Sequence, residues 1–223
     1  MGCIREYIEK NYSDKRKKHT YGVYETAVTL ARRYGADEGK AGEAALFHDL
    51  FKGAPEQTLN CYLEYFNMDD RYHGNANLAH GKIAAAVMER DHGITDYDVL
   101  NAVRFHTTGR AGMSTLEKII YLADSIEPGR DYPGVEEIRA LAYKSLDEAC
   151  ILLMERTIEH VNGRGLALDN DTVSAMEYLN GRLNKRTMPP VPADENRAGE
   201  SQFESKEEMD GQQRNRRSFG GNS

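Results

Sequence analysis

Apolar residues recur at intervals of three and four along most of the chain, and almost no β-branched run is bounded by turns, so the pattern predicts helices and no sheet. Val23, Ala27, Leu30, Ala31 and Tyr34 form one stripe, which Gly35 ends as a residue tolerant of a left-handed C′ position. Asp37 caps a helix carrying Ala41, Ala44, Ala45, His48 and Asp49 that stops near Gly53 and Pro55. A third helix starts near Asn77 and runs through His80, Ile83, Ala84, Val87 and Met88 towards Gly93. Asp96 caps a fourth, with Val99, Ala102, Val103 and His106 on one side. Ser114 and Glu117 make a capping-box pattern ahead of Leu116, Ile120 and Asp124, and Pro128 closes that helix. Further helices are predicted over Val135–Leu141, Leu146–Val161 and Asp171–Leu183. The fold class is an all-α bundle over residues 1–188. From residue 189 large apolar side chains nearly vanish, which predicts a disordered polar tail over 189–223, its RNRR run being an interaction tag or simply a solvated end.

Composition narrows the function classes. In 223 residues, 29 Lys and Arg face 36 Asp and Glu, a net charge of −7, so a phosphate backbone would repel the molecule as a whole and general nucleic-acid binding is not expected. Cys3, Cys61 and Cys150 are far apart, contain no CxxC pair and read as reduced thiols. The first residues, MGCIREYIEK, lack a signal-peptide core, and Glu6 stands where a myristoylation signal wants a hydroxyl. The longest apolar stretch, residues 149–154, is far short of the roughly 20 residues a membrane-spanning helix requires. A cytoplasmic protein is expected, with no membrane partner.

The position of the histidines carries the chemistry. His106 follows Ala102 by four residues and Val99 by seven, so helical geometry turns it towards the core, and His80 leads the stripe of Ile83, Ala84 and Val87. Asp124 follows Ile120 by four, and the adjacent His48 and Asp49 close an alanine-rich face. One inward histidine is commonly a satisfied core residue, and one buried aspartate is commonly a cap or ion-pair partner. Several of each, from separate helices, fit a cage around a cation, because a buried carboxylate is costly unless bonded, paired or coordinated. Mixed imidazole and carboxylate ligation suits iron, manganese, cobalt or zinc, and the lack of thiolates disfavours a structural zinc site. His73, His92 and His160 fall in polar or helix-end contexts and are left out of the cage.

The sequence from Arg16, RKKHTYGV, then AALFHDLFK ending at Lys52, LAHGKIAA around His80, and the run AVRFHTTGRAGMSTLEKIIYLADSIEPGR from Ala102 to Arg130 resemble the metal-dependent HD-domain phosphohydrolases. The segments HTTGR and ADSIEPGR are similar to those of the YqeK group within that family, and the likeness covers roughly residues 1–188. Gly81-Lys82 and Ser125 are small departures, but no ligand position is replaced. The resemblance implies an α-helical enzyme with one or two ions, most often iron, that cleaves diadenosine tetraphosphate and related dinucleoside polyphosphates symmetrically, yielding two ADP through attack of metal-bound hydroxide on phosphorus. It implies His19, His48, Asp49 and Asp124 around a first ion and His80 and His106 around a second, with Asp49 bridging.

The chemistry asks for charge neutralisation as well as a nucleophile, since polyphosphate oxygens repel an incoming anion, and bound metal provides for both. Asp49, His48 and Lys52 are the candidate catalytic residues. Arg16, Lys52, Arg110 and Arg130 flank the ligand motifs as candidate phosphate grips, and Thr107, Thr108 and Gly109 as hydroxyl and main-chain donors where the helix breaks. Each also reads as an ordinary surface charge or helix-ending loop. The expected ligand is a dinucleoside polyphosphate or a nucleoside diphosphate, and a second copy of the chain is a further partner that the sequence allows. Two other readings keep the cage: hydrolysis of a different nucleotide, and a nucleotide or metal sensor without turnover.

Overall fold

The computed structural model describes residues 2–166 and 168–187, and the tail expected from residue 189 lies outside them. Ten α-helices and one short 3-10 turn account for the described structure, and no strand occurs among these residues. They are α1 (Gly2–Asn11), α2 (Asp14–Tyr34), α3 (Glu38–Phe47), α4 (Glu56–Tyr65), the 3-10 turn Asp70–Tyr72, α5 (Ala76–His92), α6 (Tyr97–Arg104), α7 (Thr115–Ile126), α8 (Val135–Ala142), α9 (Leu146–Gly163) and α10 (Asn170–Thr187). None of these helices is long and apolar enough to cross a membrane.

Local chemistry sets the boundaries. Ser13 accepts from the Arg16 amide to start α2, and Gly35, at φ 66°, closes it with a bond to the Ala31 carbonyl. Asp37 and Asp96 cap α3 and α6 through their side chains. Ser114 and Glu117 satisfy each other's amides in a complete capping box at α7.

Helix α7 is the axis of the bundle and packs on α2, α3, α6, α8 and α9. Leu116, Ile119, Ile120, Tyr121, Leu122, Ala123 and Ile126 are all buried, so the helix is apolar around nearly its whole circumference, as a central helix must be. Its charged side chains have partners. Glu117 receives a two-pronged bond from Arg110, and Lys118 reaches Asp147 at 2.6 Å. A second, smaller core holds Leu59, Leu63, Tyr72, Ala79, Ile83 and Val87, where α4 and the 3-10 turn lie on α5.

Two helices were not predicted. Among the described side chains α1 buries Ile4 and Ile8, with Tyr12 just beyond it, and α4 buries Leu59 and Leu63. Two others end sooner than the stripes predict. Helix α3 stops at Phe47, leaving Asp49 in a tight turn, and α6 stops at Arg104, leaving His106 beyond its end. At α3 the physical reason is that the adjacent residues His48 and Asp49 are both buried.

Candidate metal centre

Five parts of the chain deliver six side chains to one place. His19 comes from the second turn of α2, His48 and Asp49 from the turn after α3, His80 from the first turns of α5, His106 from the turn after α6, and Asp124 from the last turn of α7. His48, Asp49, His80 and His106 are buried, whereas the side chains of His19 and Asp124 keep 16% and 13% of their surface exposed, so the cluster opens to solvent on their side. Every ligand position predicted from the sequence is present in the cluster.

Asp49 stands between two ligand sets. Its Oδ2 lies 3.5 Å from His19 Nε2 and 3.4 Å from His48 Nε2, while its Oδ1 lies 3.1 Å from His80 Nε2 and 3.5 Å from His106 Nε2. On the first side Asp124 Oδ1 completes the set, 3.1 Å from His19 Nε2 and 3.8 Å from His48 Nε2. The groups His19, His48, Asp124 and Asp49, His80, His106 each bring their ligand atoms close enough together to hold one ion.

The donor chemistry fits a divalent cation. His48, His80 and His106 turn Nδ1 to the carbonyls of Ala45, Ala76 and Val103 at 2.6, 3.0 and 2.8 Å. A carbonyl only accepts, so these bonds put the proton on Nδ1 and leave a lone pair on Nε2. The resulting Nε2 atoms of His80 and His106 face each other at 3.1 Å. Two lone pairs that close repel unless a cation lies between them, and oriented imidazoles with outer carbonyl or carboxylate partners are the usual form of such ligands.

Electrostatics point the same way. Burial works against charge on Asp49, but the imidazoles of His48, His106 and His19 that surround it outweigh burial and hold the carboxyl well below the usual carboxylate range. Burial likewise opposes charge on Asp124, which its bond with His19 and the nearby His48 and His106 keep ionised. Burial pushes His80 down, towards the neutral form a ligand needs. His19 is desolvated too, yet its bonds to Asp124 and Asp49 raise it to about 9, so a proton sits there at neutral pH when no ion replaces it.

One functional residue escaped the sequence reading. Glu127, 3% exposed, accepts from His19 Nδ1 at 3.2 Å and from the Gly129 amide, giving His19 the outer partner that carbonyls give the other three. Gly22 makes room for it, because a Cβ there would lie 2.7 Å from Glu127 Oε2. The signal was the glutamate of the ADSIEPGR segment.

The remaining candidates divide by what they touch. Lys52 Nζ is 3.5 Å from Asp49 Oδ1 and 42% exposed, at the rim of the cluster. Arg130 grips Asp124 through its carbonyl at 2.7 Å and Oδ1 at 2.6 Å. Arg16 donates to the carbonyls of Asp49 and Leu50 and stacks 3.6 Å over Tyr12, so it clamps the turn that carries Asp49. Arg110 is turned to Glu117 instead. The amides of Thr108 and Gly109 both bond to the Phe105 carbonyl and the Thr108 hydroxyl bonds to the Gly109 carbonyl, so the turn uses the donors expected to face a phosphate. Thr107 Oγ1 is buried without a partner.

Comparison with known proteins agrees with this geometry. The HD domain family model matches residues 16–129. The chain is 37% identical over 180 residues to the symmetrical bis(5'-nucleosyl)-tetraphosphatase of Bacillus subtilis (strain 168), covering 80% of this chain and 95% of that protein. It is 39% identical to the enzyme of the same name from Halalkalibacterium halodurans, over 80% of this chain and 96% of the relative. A crystal structure from Clostridium acetobutylicum, described as a predicted HD superfamily hydrolase involved in NAD metabolism, superposes with a TM-score of 0.78 at 41% identity, over 81% of this chain and 97% of that one. The chain belongs to the HD-domain family, in the group that includes these two tetraphosphatases.

Proposed function

We propose that the protein is a cytoplasmic hydrolase that cleaves dinucleoside tetraphosphates symmetrically, diadenosine tetraphosphate plus water giving two ADP, and that iron is its native metal. The observation that carries this reading is Asp49, whose two oxygens face two separate ligand sets, in a chain closely similar along its helical part to two enzymes of that name. Residues 1–188 form the catalytic unit.

When bound, divalent ions at such a centre lower the pKa of water and neutralise charge on the phosphoryl oxygens. The chain's own residues do the rest. Asp49 fixes the spacing of the two ligand sets, and His48, its neighbour, holds Nε2 unprotonated through the Ala45 carbonyl. Arg16 holds Asp49 through its carbonyl, and Arg130 holds Asp124 through its carbonyl and Oδ1. Substrate enters where His19 and Asp124 are exposed, and Lys52, 3.5 Å from the Asp49 oxygen that faces His80 and His106, offers a partly exposed cation to the phosphates. That no predicted ligand position is replaced supports turnover over a sensor without activity.

Incubation of purified protein with diadenosine tetraphosphate and Fe²⁺, Mn²⁺ or Co²⁺ under anaerobic conditions, followed by nucleotide separation, tests the proposal. ADP alone is expected. AMP with ATP, or unchanged substrate, overturns it.

A further inference from the structure

His48, His80 and His106 each turn Nδ1 to a carbonyl three or four residues back, a partner that the adjoining helix sets in place. His19 does not. Its outer partner is the Glu127 carboxylate, 108 positions away in the sequence, in the turn that follows α7. Asp124 leans on the same turn, because Arg130 grips its carbonyl and Oδ1. One half of the centre, His19 with Asp124, is therefore oriented by side chains at the two ends of a non-helical stretch, 127–130.

That stretch is held by a single side chain on α8. Arg139 Nε donates to the Ile126 carbonyl at 2.8 Å, and Nη2 donates to the carbonyls of Glu127 at 2.9 Å and Arg130 at 2.7 Å. Its Nη1 is anchored to Glu136, one turn back on the same helix. The last carbonyls of a helix have no partner within it and carry the negative end of its dipole, so a cation with its donors in a rigid fork suits them.

We propose that Arg139 is a positioning residue for the His19 and Asp124 half of the metal centre, acting through Glu127 and Arg130; the inference rests on that centre holding divalent ions. Arg139 bonds to the main chain of both residues, and their side chains in turn bond to His19 and Asp124. The outer partners of His80 and His106 are carbonyls on α5 and α6, to which none of these bonds runs. Loosening Arg139 should therefore weaken one ligand set and spare the other.

Lysine keeps the charge at position 139 but gathers its donors on one atom, which cannot reach carbonyls spread around a planar fork. Arg139 borders a recess of about 300 Å³ and its side chain is partly exposed, so the exchange opens no hole in the core. Calorimetric titration of the chelator-treated protein with Mn²⁺ reads the effect, in a cycle of Arg139→Lys, Glu127→Gln and the double variant. Arg139→Lys is expected to weaken one ion about tenfold, the lower end of what an outer partner contributes, and any second ion less than twofold. In the Glu127→Gln background the same change should cost threefold or less, since most of the path is already cut. Melting without metal should stay within a few degrees across the set, and Arg139→Gln serves if the lysine variant does not fold. The cycle decides the role whether the native protein takes up one ion or two. Unchanged Mn²⁺ affinity, equal losses for two ions, or a full tenfold loss in the Glu127→Gln background overturns the positioning role and leaves the metal centre standing. A native protein that takes up no Mn²⁺ sinks the centre itself, and this role with it.

Discussion

Asp49 carries two loads that no neighbouring group can share. It joins the two ligand sets, and it supplies negative charge at the centre of four imidazoles. Asp49→Ala is expected to lose metal and turnover together, seen as a fall in metal content by elemental analysis alongside loss of ADP production; normal rate with native metal content would show the bridge is misassigned. Glu127 acts one step further out, through His19 Nδ1. Replacing it by Gln keeps the volume and removes the charge that orients and polarises the imidazole. Outer partners of this kind are worth about 10- to 100-fold in metal affinity, and chelator competition should find Glu127→Gln weaker by that amount while its thermal melting without metal stays close to native. Equal affinity in the two proteins would reduce Glu127 to a packing residue.

At the scale of elements, the centre depends on how closely helices approach. Gly81 follows the ligand His80 within α5, and a Cβ there would lie 2.9 Å from the His106 ring and 2.9 Å from the Val103 carbonyl. An alanine in a helix interior ordinarily adds about 1 kcal/mol over glycine. Here the clash with backbone prevails, so Gly81→Ala is expected to lower both the melting temperature and metal retention; a stabilised, fully loaded variant would show that α5 and α6 can part without cost. The same closeness explains what was legible in the chain. The stripe on α2, the caps Asp37 and Asp96, the Ser114 box and the inward placing of His48, Asp49, His80, His106 and Asp124 could be read from local periodicity or capping, whereas His19 was implied by the family resemblance alone. Helices α1 and α4 could not, since each touches the core along one narrow edge and offers too few buried positions for a period to emerge. The end of α3 was hidden for another reason. Adjacent residues on a helix point about 100° apart, yet His48 and Asp49 are both buried and both face one cluster. Turns of the i to i+3 type, Leu50 to Phe47 and Lys52 to Asp49, bring them round. Glu127 escaped notice because its role exists only once Gly22 on α2 lies opposite.

For the molecule as a whole, the core that fixes these elements also sets a limit at alkaline pH. Cys150 on α9 and Tyr121 on α7 are both buried, and burial raises the pKa of each above its ordinary value of 9.0 or 10.0. The unfolded chain therefore releases these protons first. Above pH 9 the native state binds more protons than the unfolded state, so stability present below the unfolded pKa is lost as pH rises. The thiol alone should remove about 1.4 kcal/mol by pH 10, at 1.36 kcal/mol per pH unit, with Tyr121 adding its share beyond. Cys150→Ala loses packing at every pH but cannot ionise. Urea unfolding with chelator present, from pH 8 to 11, should therefore show the gap between native and variant narrowing above pH 9, because only the native protein has the thiol's share to lose. Chelation matters to the design: a bound ion would tie α2, α5 and α7 and both turns to one point, adding its own pH dependence through the ligands. Parallel curves for the two proteins would mean that the thiol ionises as readily in the fold as outside it, and that the packing between α7 and α9 admits water.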